Sequence, residues 1–357
     1  MGDVADVFYH DESILHEELR LRLLLGRRAT ALNLSERTVE VDGEDEIEYD
    51  RLILATGADP RLLANIPNIP GVATLRTLDD SLHIRSLIKR GGHVLIIGGG
   101  FIGSEIASSA AKLGAKASIV EAAPIPLVRA LGGPVGERIS ELHGTNGTDL
   151  LCGVEVAEVE GDQHVTGVKL TNGDHLDVDL IIVGVGAAPA TQWLTGSGLH
   201  LNPVDGGVEC NEFLETSQPG VYAAGDIAHW PNRVMGMTMR LENWSNAAEQ
   251  GAIAAHNALS PEPPTAYETV PYYWSDWYGH RIQFVGTPIC DEVTFFRSAT
   301  STASLVALYR AGDRLIGAAC VDGQRMIMNY RRLIREGASF ETAVERFSGT
   351  LSAEVVS

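Results

Sequence analysis

Apolar residues fall in short unbroken runs, and several of these runs end in a glycine turn. The segment HVLIIGGGFIGSEIASSAAKLGAKASIVEAAP, residues 93–124, reads as strand, glycine turn, helix, strand. DLIIVGVGAAP at 179–189 and GVYAAGDIA at 220–228 are two further buried strands with glycine turns. Upstream, TVEV and RLILATG predict two short strands within 38–54, the first followed by a turn at Asp42-Gly43. Residues 77–90 predict a helix capped by Thr77 or Asp79, with Leu78, Leu82, Ile84, Leu87 and Ile88 on its apolar face. Residues 242–259 predict an alanine-rich helix, and PEPPT at 261–265 is a proline-rich linker. The texture then changes to alternating strands (RIQFVG, EVTFFR, SLVALYR, RLIGAACV) closed by a helix around MNYRRLIREG. The pattern is α/β, with two larger domains and a small C-terminal α+β domain.

Composition narrows the function. The 357 residues suffice for two or three domains. A net charge of −20 repels phosphate backbones, which argues against nucleic acid as a partner. No apolar run approaches the ~18 residues needed to span a bilayer. The first twenty residues are acidic and lack the apolar stretch of a signal peptide, so a cytoplasmic chain is expected. Cys152, Cys210, Cys290 and Cys320 are widely spaced, with no C-x-x-C and no metal-ligand pattern. Buried thiols in a reducing compartment, and no metal, are the expectation. Arg325, Arg331, Arg332 and Arg335 gather late in the chain, either as a solvated helix face or as a docking patch for an acidic redox partner.

The glycines at 98–103 fit G-x-G-x-x-G in its required context, after a strand and opening a helix. Gly98 makes the tight turn, Gly100 lets backbone approach a pyrophosphate, and Gly103 lets helix pack closely on strand. The helix N-terminus offers unpaired N–H groups to the phosphates. The second strand ends at Glu121, near the spacing of the acid that binds the adenosine ribose. A carboxylate there repels a 2′-phosphate, favouring NADH over NADPH. Because an ATG strand precedes this motif, the turn is assigned to NAD and not FAD.

Together these landmarks resemble the two-dinucleotide-domain flavoprotein reductases. LRTLDD (75–80), GGGFIGSEIA (98–107), ENWSNAAEQG (242–251) and VPYYWSDWYGHRIQFVG (270–286) resemble the ferredoxin reductases of the putidaredoxin-reductase and biphenyl-dioxygenase-reductase type. The resemblance implies a glutathione-reductase-like fold. Residues 1–80 and 205–262 would form a discontinuous FAD-type domain, 81–204 the NAD domain and 266–357 the reductase C-terminal domain. It implies FAD and NADH as cofactors, a small acidic ferredoxin-type acceptor as partner, and a homodimer as one possible assembly. Residue by residue, it counts Ala29 among the cofactor-binding residues and places Thr56 and Gly57 along the flavin and Arg76 on the FAD. Gly225 and Asp226 fall at the ribityl chain or pyrophosphate, and Trp244 and Trp274 beside the isoalloxazine ring. Ile102 lies on the dinucleotide turn and Gly186 in the nicotinamide channel. Glu105 is placed near flavin N5 and, with Trp274 on the electron exit side, is the catalytic candidate. The plainer alternatives are core aromatics for the two tryptophans, a helix cap for Asp226 and a solvated helix residue for Glu105.

The family begins with a further βαβ unit that carries its own G-x-G-x-x-G for the FAD adenosine. A loop follows whose lysine pairs with the carboxylate at the Glu105 position. Here no glycine motif precedes Gly98 and the first lysine is Lys89, so the reading is of a member lacking the first βαβ of its FAD domain. A longer working protein, a variant that has lost FAD, and a gap filled by residues 1–20 or by a partner chain all remain open. The functional expectation is electron transfer from NADH through FAD to an iron–sulfur partner of an oxygenase. The alternatives are a degenerate, non-redox NAD(H)-binding or partner-binding protein, and a flavin oxidase acting on a small metabolite.

Overall fold

The computed structural model describes residues 13–298, 305–346 and 351–354. They fall into two compact units, one built from residues up to Asp50 plus Gln192–Leu199, the other from Arg51–Thr191 and the residues from His200 on.

The first unit is an antiparallel meander of β1 (Ala29–Asn33), β2 (Thr38–Val41) and β3 (Asp45–Glu48). Leu32 and Val41 are buried in it. Asp42 and Gly43 both take positive φ in the expected turn, and Asp42 accepts a hydrogen bond from the Arg28 amide. The acidic β3, DEIE, has Ile47 as its single apolar residue and gave no strand signal in the sequence.

In the second unit β4 (Leu52–Leu54) leads through the ATG loop to β5 (Ala58–Pro60) and β6 (Val72–Thr74). Helix α1 (Leu78–Leu87) is capped by Thr77, whose hydroxyl accepts from the Asp80 amide while Asp80 reaches back to the Thr77 amide. This settles the cap in favour of Thr77 over Asp79. Next come β7 (His93–Ile97), α2 (Phe101–Lys112), β8 (Lys116–Glu121), α3 (Val128–Leu131), α4 (Gly133–Thr145) and β9 (Asp149–Cys152). The meander β10 (Val156–Glu160), β11 (Gly167–Leu170), β12 (His175–Asp177) precedes β13 (Leu180–Val183), which runs into β14 (Ala187–Pro189).

The central sheet is parallel, in the order β6-β13-β7-β8-β9. It draws its edge strand, Val72–Thr74, from before residue 81. Side chains alternate across it: Val94 and Ile96 pack with Ile106, Ala107 and Ala110 of α2, while Leu95 and Ile97 pack with Val156, Val168 and Leu170 of the meander. Burial on both faces is why these strands read as continuous apolar runs.

The rest of the second unit holds β15 (Val208–Glu209), β16 (Val221–Ala223), β17 (Ala228–Asn232), β18 (Met237–Met239) and α5 (Trp244–Leu259). β16 pairs in parallel with β4, and Asn243 caps α5 through the Asn246 amide. A six-stranded sheet follows, β19 (Tyr272–Trp277), β20 (His280–Gly286), β21 (Glu292–Ser298), β22 (Leu305–Ala311), β23 (Arg314–Val321) and β24 (Leu351–Glu354), in the order β19-β20-β23-β22-β21-β24. One face carries α6 (Gln324–Arg335) and α7 (Phe340–Glu345). The other packs Trp277, Phe284 and Tyr309 against Leu131, Val135 and Ile139 of α3 and α4. Tyr273 and Tyr309 donate to the carbonyls of Ala130 and Leu131 at 2.6 Å each, so the terminal sheet fixes α3 beside the dinucleotide turn.

Candidate functional site

The glycine turn is built as its sequence requires. A Cβ on Gly98 would lie 2.4 Å from the Gly184 carbonyl oxygen, and one on Gly103 would lie 2.1 Å from that of Gly98. No residue but glycine fits either position. A Cβ on Gly100 would meet nothing within 4 Å. That space belongs to a cavity of about 1120 Å³ opening at the N-terminus of α2. Gly100 caps the helix without a side-chain hydrogen bond, leaving the first-turn N–H groups to a ligand.

Glu121 closes the turn from β8. Its carboxylate accepts from the Gly99 amide at 2.7 Å and the Ala123 amide at 2.8 Å. These residues fit a nicotinamide dinucleotide: an open glycine cradle, a free helix N-terminus and a carboxylate at the end of the second strand.

The cavity gathers Gly98, Gly100, Ile102, Glu105, Glu121, Gly186, Trp244 and Trp274 from five separate segments. Gly103 lies behind the turn, in contact with Ile96. Gly186 has φ +100° and its carbonyl accepts from the Arg61 amide. Trp244 opens α5 and is 56% exposed, while Trp274 on β19 is 37% exposed. Their rings meet edge to face at 6.3 Å, and Tyr272 stacks on Trp274 at 5.6 Å. Neither tryptophan is a core residue.

A second group adjoins the cavity. Gly57 has φ +71°, and the place of its missing Cβ is 2.9 Å from Arg76 Nη2. Arg76 pairs with Asp226 at 3.4 Å, while Thr56 donates to the Ala190 carbonyl at 2.8 Å. Gly225, with φ +76°, donates its amide to Gln250. Asp226 lies inside the short helical turn Gly225–Ile227, whose N-cap residue is Ala224. Burial raises its carboxyl, and Arg76 pulls it back. Ala29 lies on β1 of the first unit, opposite Val41.

Sequence reasoning missed Arg240. Its guanidinium joins the two groups, bonding Asp205 at 2.6 Å, Glu242 at 2.7 Å and the Asp226 carbonyl at 2.7 Å while lining the cavity. Against the effect of burial, the Gly207 amide, Arg240 and His229 hold Asp205 down to about 2. The available signal was an arginine in the otherwise apolar run MGMTMRL.

Glu105 is exposed to the cavity as a residue, but its carboxyl is partly buried against β19. Burial raises its carboxyl, opposed by donors on β19, the Ser275 hydroxyl at 2.5 Å and the Asp276 amide. Among the described residues no lysine or arginine is ion-paired with it.

The residues also fit half of FAD. Asp226, Arg76, Thr56 and Gly57 would hold the ribityl side, and Trp244 presents an exposed ring in the cavity to which Arg240 links them. For the ADP half, no second strand–glycine turn–helix is found among the described residues, and β4 hydrogen-bonds one strand, β16.

The family described as Pyridine nucleotide-disulphide oxidoreductase matches residues 3–251, and the domain described as Reductase C-terminal matches 272–345. The chain belongs to this oxidoreductase family. Its relatives include putidaredoxin reductase of Pseudomonas putida, 32% identical over 83% of this chain and 71% of that protein. Another is the biphenyl dioxygenase system ferredoxin–NAD(+) reductase component of Paraburkholderia xenovorans, 33% identical over 86% of this chain and 74% of that protein. A solved covalent putidaredoxin reductase–putidaredoxin complex superposes with a TM-score of 0.88 at 28% identity, covering 94% of this chain and 81% of that one. Ferredoxin–NAD(+) reductases of this family use FAD and NADH, and the relatives pass electrons to ferredoxins such as putidaredoxin. All four cysteines are free, and none is adjacent to another in sequence. Burial pushes Cys210 up to about 12 and Cys320 higher still.

Proposed function

We propose that this chain is the NADH-dependent, FAD-containing reductase that feeds electrons to a small acidic ferredoxin-type protein of an oxygenase system. The observation that carries the reading is the cavity in which a nicotinamide-type turn, Glu105, Trp244 and Trp274 meet. The turn and Glu121 bind the dinucleotide and orient its ring inward. Gly186 leaves room for the nicotinamide, and Trp244 and Trp274 shield the reacting face from water. Thr56, Gly57, Arg76 and Asp226 hold the ring and ribityl side of FAD. When bound, that cofactor takes up a hydride and gives out single electrons.

Helix α6 supports an acidic acceptor. Arg325, Met328, Arg332 and Arg335 fall at i, i+3, i+7 and i+10, all exposed along one face. The free thiols suit a reducing compartment, and we place the chain in the cytoplasm. No helix among the described residues is long and apolar enough to cross a membrane.

The test is an anaerobic visible spectrum of the chain purified and reconstituted with FAD, followed by NADH and then an acidic [2Fe–2S] ferredoxin. Flavin bands that bleach with NADH and recover as the ferredoxin is reduced support the reading. A chain that binds NADH but neither takes up FAD nor reduces a dye overturns it in favour of a non-redox NAD(H)-binding protein.

A further inference from the structure

Ser275 lies on β19 between an exposed tryptophan and an exposed aspartate, yet it is 1% exposed. Its hydroxyl oxygen accepts from the Trp277 indole N–H at 2.6 Å and stands 2.5 Å from Glu105 Oε1. An indole nitrogen only donates. Oγ must therefore spend a lone pair on Trp277, and the hydroxyl proton is directed at Glu105. Trp277 is fully buried and stacks on His143, with ring centroids 5.4 Å apart, so the donor cannot swing away. The terminal domain thus supplies an oriented donor to a carboxylate that lines the dinucleotide cavity from α2.

We infer that Ser275 is a positioning residue, with its proton direction set by Trp277, that holds Glu105 ionised and aimed into the nicotinamide cavity. The role given to the cavity rests on the function proposed above, but the state of Glu105 does not. Glu105 is exposed towards the cavity, but its carboxyl is partly desolvated against β19, and partial desolvation favours the neutral form unless charge or hydrogen bonds oppose it. The groups on the elements around Glu105 are His93 of β7, Lys116 and Glu121 of β8, and Tyr272, Tyr273 and Asp276 of β19. His143 on α4 bonds Ser104, and Tyr278 bonds His143 and Thr148. Of these, Asp276 acts on the Glu105 carboxyl through its charge and disfavours ionisation, while Arg281 donates to both carboxylate oxygens of Asp276 at 2.8 Å. The donors left to favour the anion are the Ser275 hydroxyl and the Asp276 amide.

The experiment is a carbon-13 NMR titration of the full chain labelled at glutamate Cδ, with Glu105 assigned as the signal lost in Glu105→Gln. The Ser275→Ala variant is expected to raise the Glu105 midpoint by about one unit, a tenfold loss of acidity. Trp277→Phe keeps the hydroxyl but frees its proton, and a smaller rise is expected. In the unmodified chain, the Trp277 indole N–H resonance is expected to move with the same midpoint as the carboxyl, whether or not either variant folds. An indole resonance indifferent to Glu105 titration, or an unchanged midpoint in folded Ser275→Ala, overturns the inference. In a parallel series of NADH-dependent dye reduction, the pH profile of Ser275→Ala shifts in the same direction. A chain with no NADH activity would sink the proposed function and leave the NMR result standing.

Discussion

Glu121 Oε2 lies 2.7 Å from the Gly99 amide, so the acid that is to bind the ribose also ties β8 to the glycine turn. One carboxylate oxygen holds the turn and the other holds Ala123, and each keeps a lone pair for a ribose hydroxyl. Glu121→Gln retains an acceptor but loses the charge. Hydrogen bonds to charged groups contribute about 1.5–3 kcal/mol, so NADH affinity should fall roughly 10- to 100-fold. NADPH affinity should fall less or rise, because the repulsion of its 2′-phosphate is gone. Fluorescence titration with both nucleotides measures the ratio, and an unchanged preference would remove Glu121 from the ribose site.

Two glycines of one turn should separate folding from binding. Gly103→Ala drives a methyl to 2.1 Å from the Gly98 carbonyl oxygen, and such overpacking costs about 3 kcal/mol. Its melting temperature should drop by several degrees and NADH binding should be lost with it. Gly100 has φ −82° and an open Cβ position, so Gly100→Ala should melt like the parent. Its methyl nevertheless occupies the space where a pyrophosphate would approach. Equal NADH affinity for Gly100→Ala and the parent would show that the phosphates lie elsewhere.

These glycines mark the part of the molecule most legible in the sequence. An unbroken apolar run, three glycines at fixed spacing and an acid one strand later leave few alternatives, and β7, α2 and β8 follow the reading. β19 was recognised as a motif but not as a strand, because its burial inverts its hydropathy. Ser275 is buried to serve Glu105 and Trp277, while Trp274 is left exposed at the cavity. β3 was hidden by acidic residues that face solvent around one isoleucine. The meander β10–β12 passed unnoticed between stronger glycine-turn signals. The late arginines do not act as one group. Arg331 turns inward to the Val270 carbonyl at 2.9 Å and Thr269 at 3.0 Å, while Arg325, Arg332 and Arg335 remain exposed. Sequence gives the helix face but not the partner that bends one side chain off it.

His143 should make the chain sensitive to mild acid. It is 1% exposed, bonded to Ser104 and Tyr278 and stacked on Trp277, and burial lowers it from 6.5 to about 4. Between those values the unfolded chain takes up a proton that the folded chain refuses. Its contribution is therefore complete above pH 6.5 and is lost as pH falls towards 4, by about 3 kcal/mol in all. His143→Gln should be less stable than the parent at pH 7, with a smaller further loss by pH 5. Urea midpoints at the two pH values test this, and parallel slopes for both proteins would show that His143 does not titrate as a buried group.

The exposed arginines of α6 should govern the acceptor and not the nucleotide. Charges at the rim of a docking surface act mainly on encounter, and salt screens them over about 10 Å at 0.1 M. The double variant Arg325→Glu, Arg335→Glu should raise KM for an acidic ferredoxin on the order of tenfold at low ionic strength. Its NADH-dependent reduction of a small neutral dye should be unchanged, since neither side chain lines the cavity. Arg331 is excluded from the variant because its bonds to Val270 and Thr269 hold α6 to the segment before β19. The double variant should also flatten the decline of ferredoxin reduction with added salt. If the parent shows no such decline, or the variant keeps it, the acceptor docks away from α6 and the stripe is a solvated helix face.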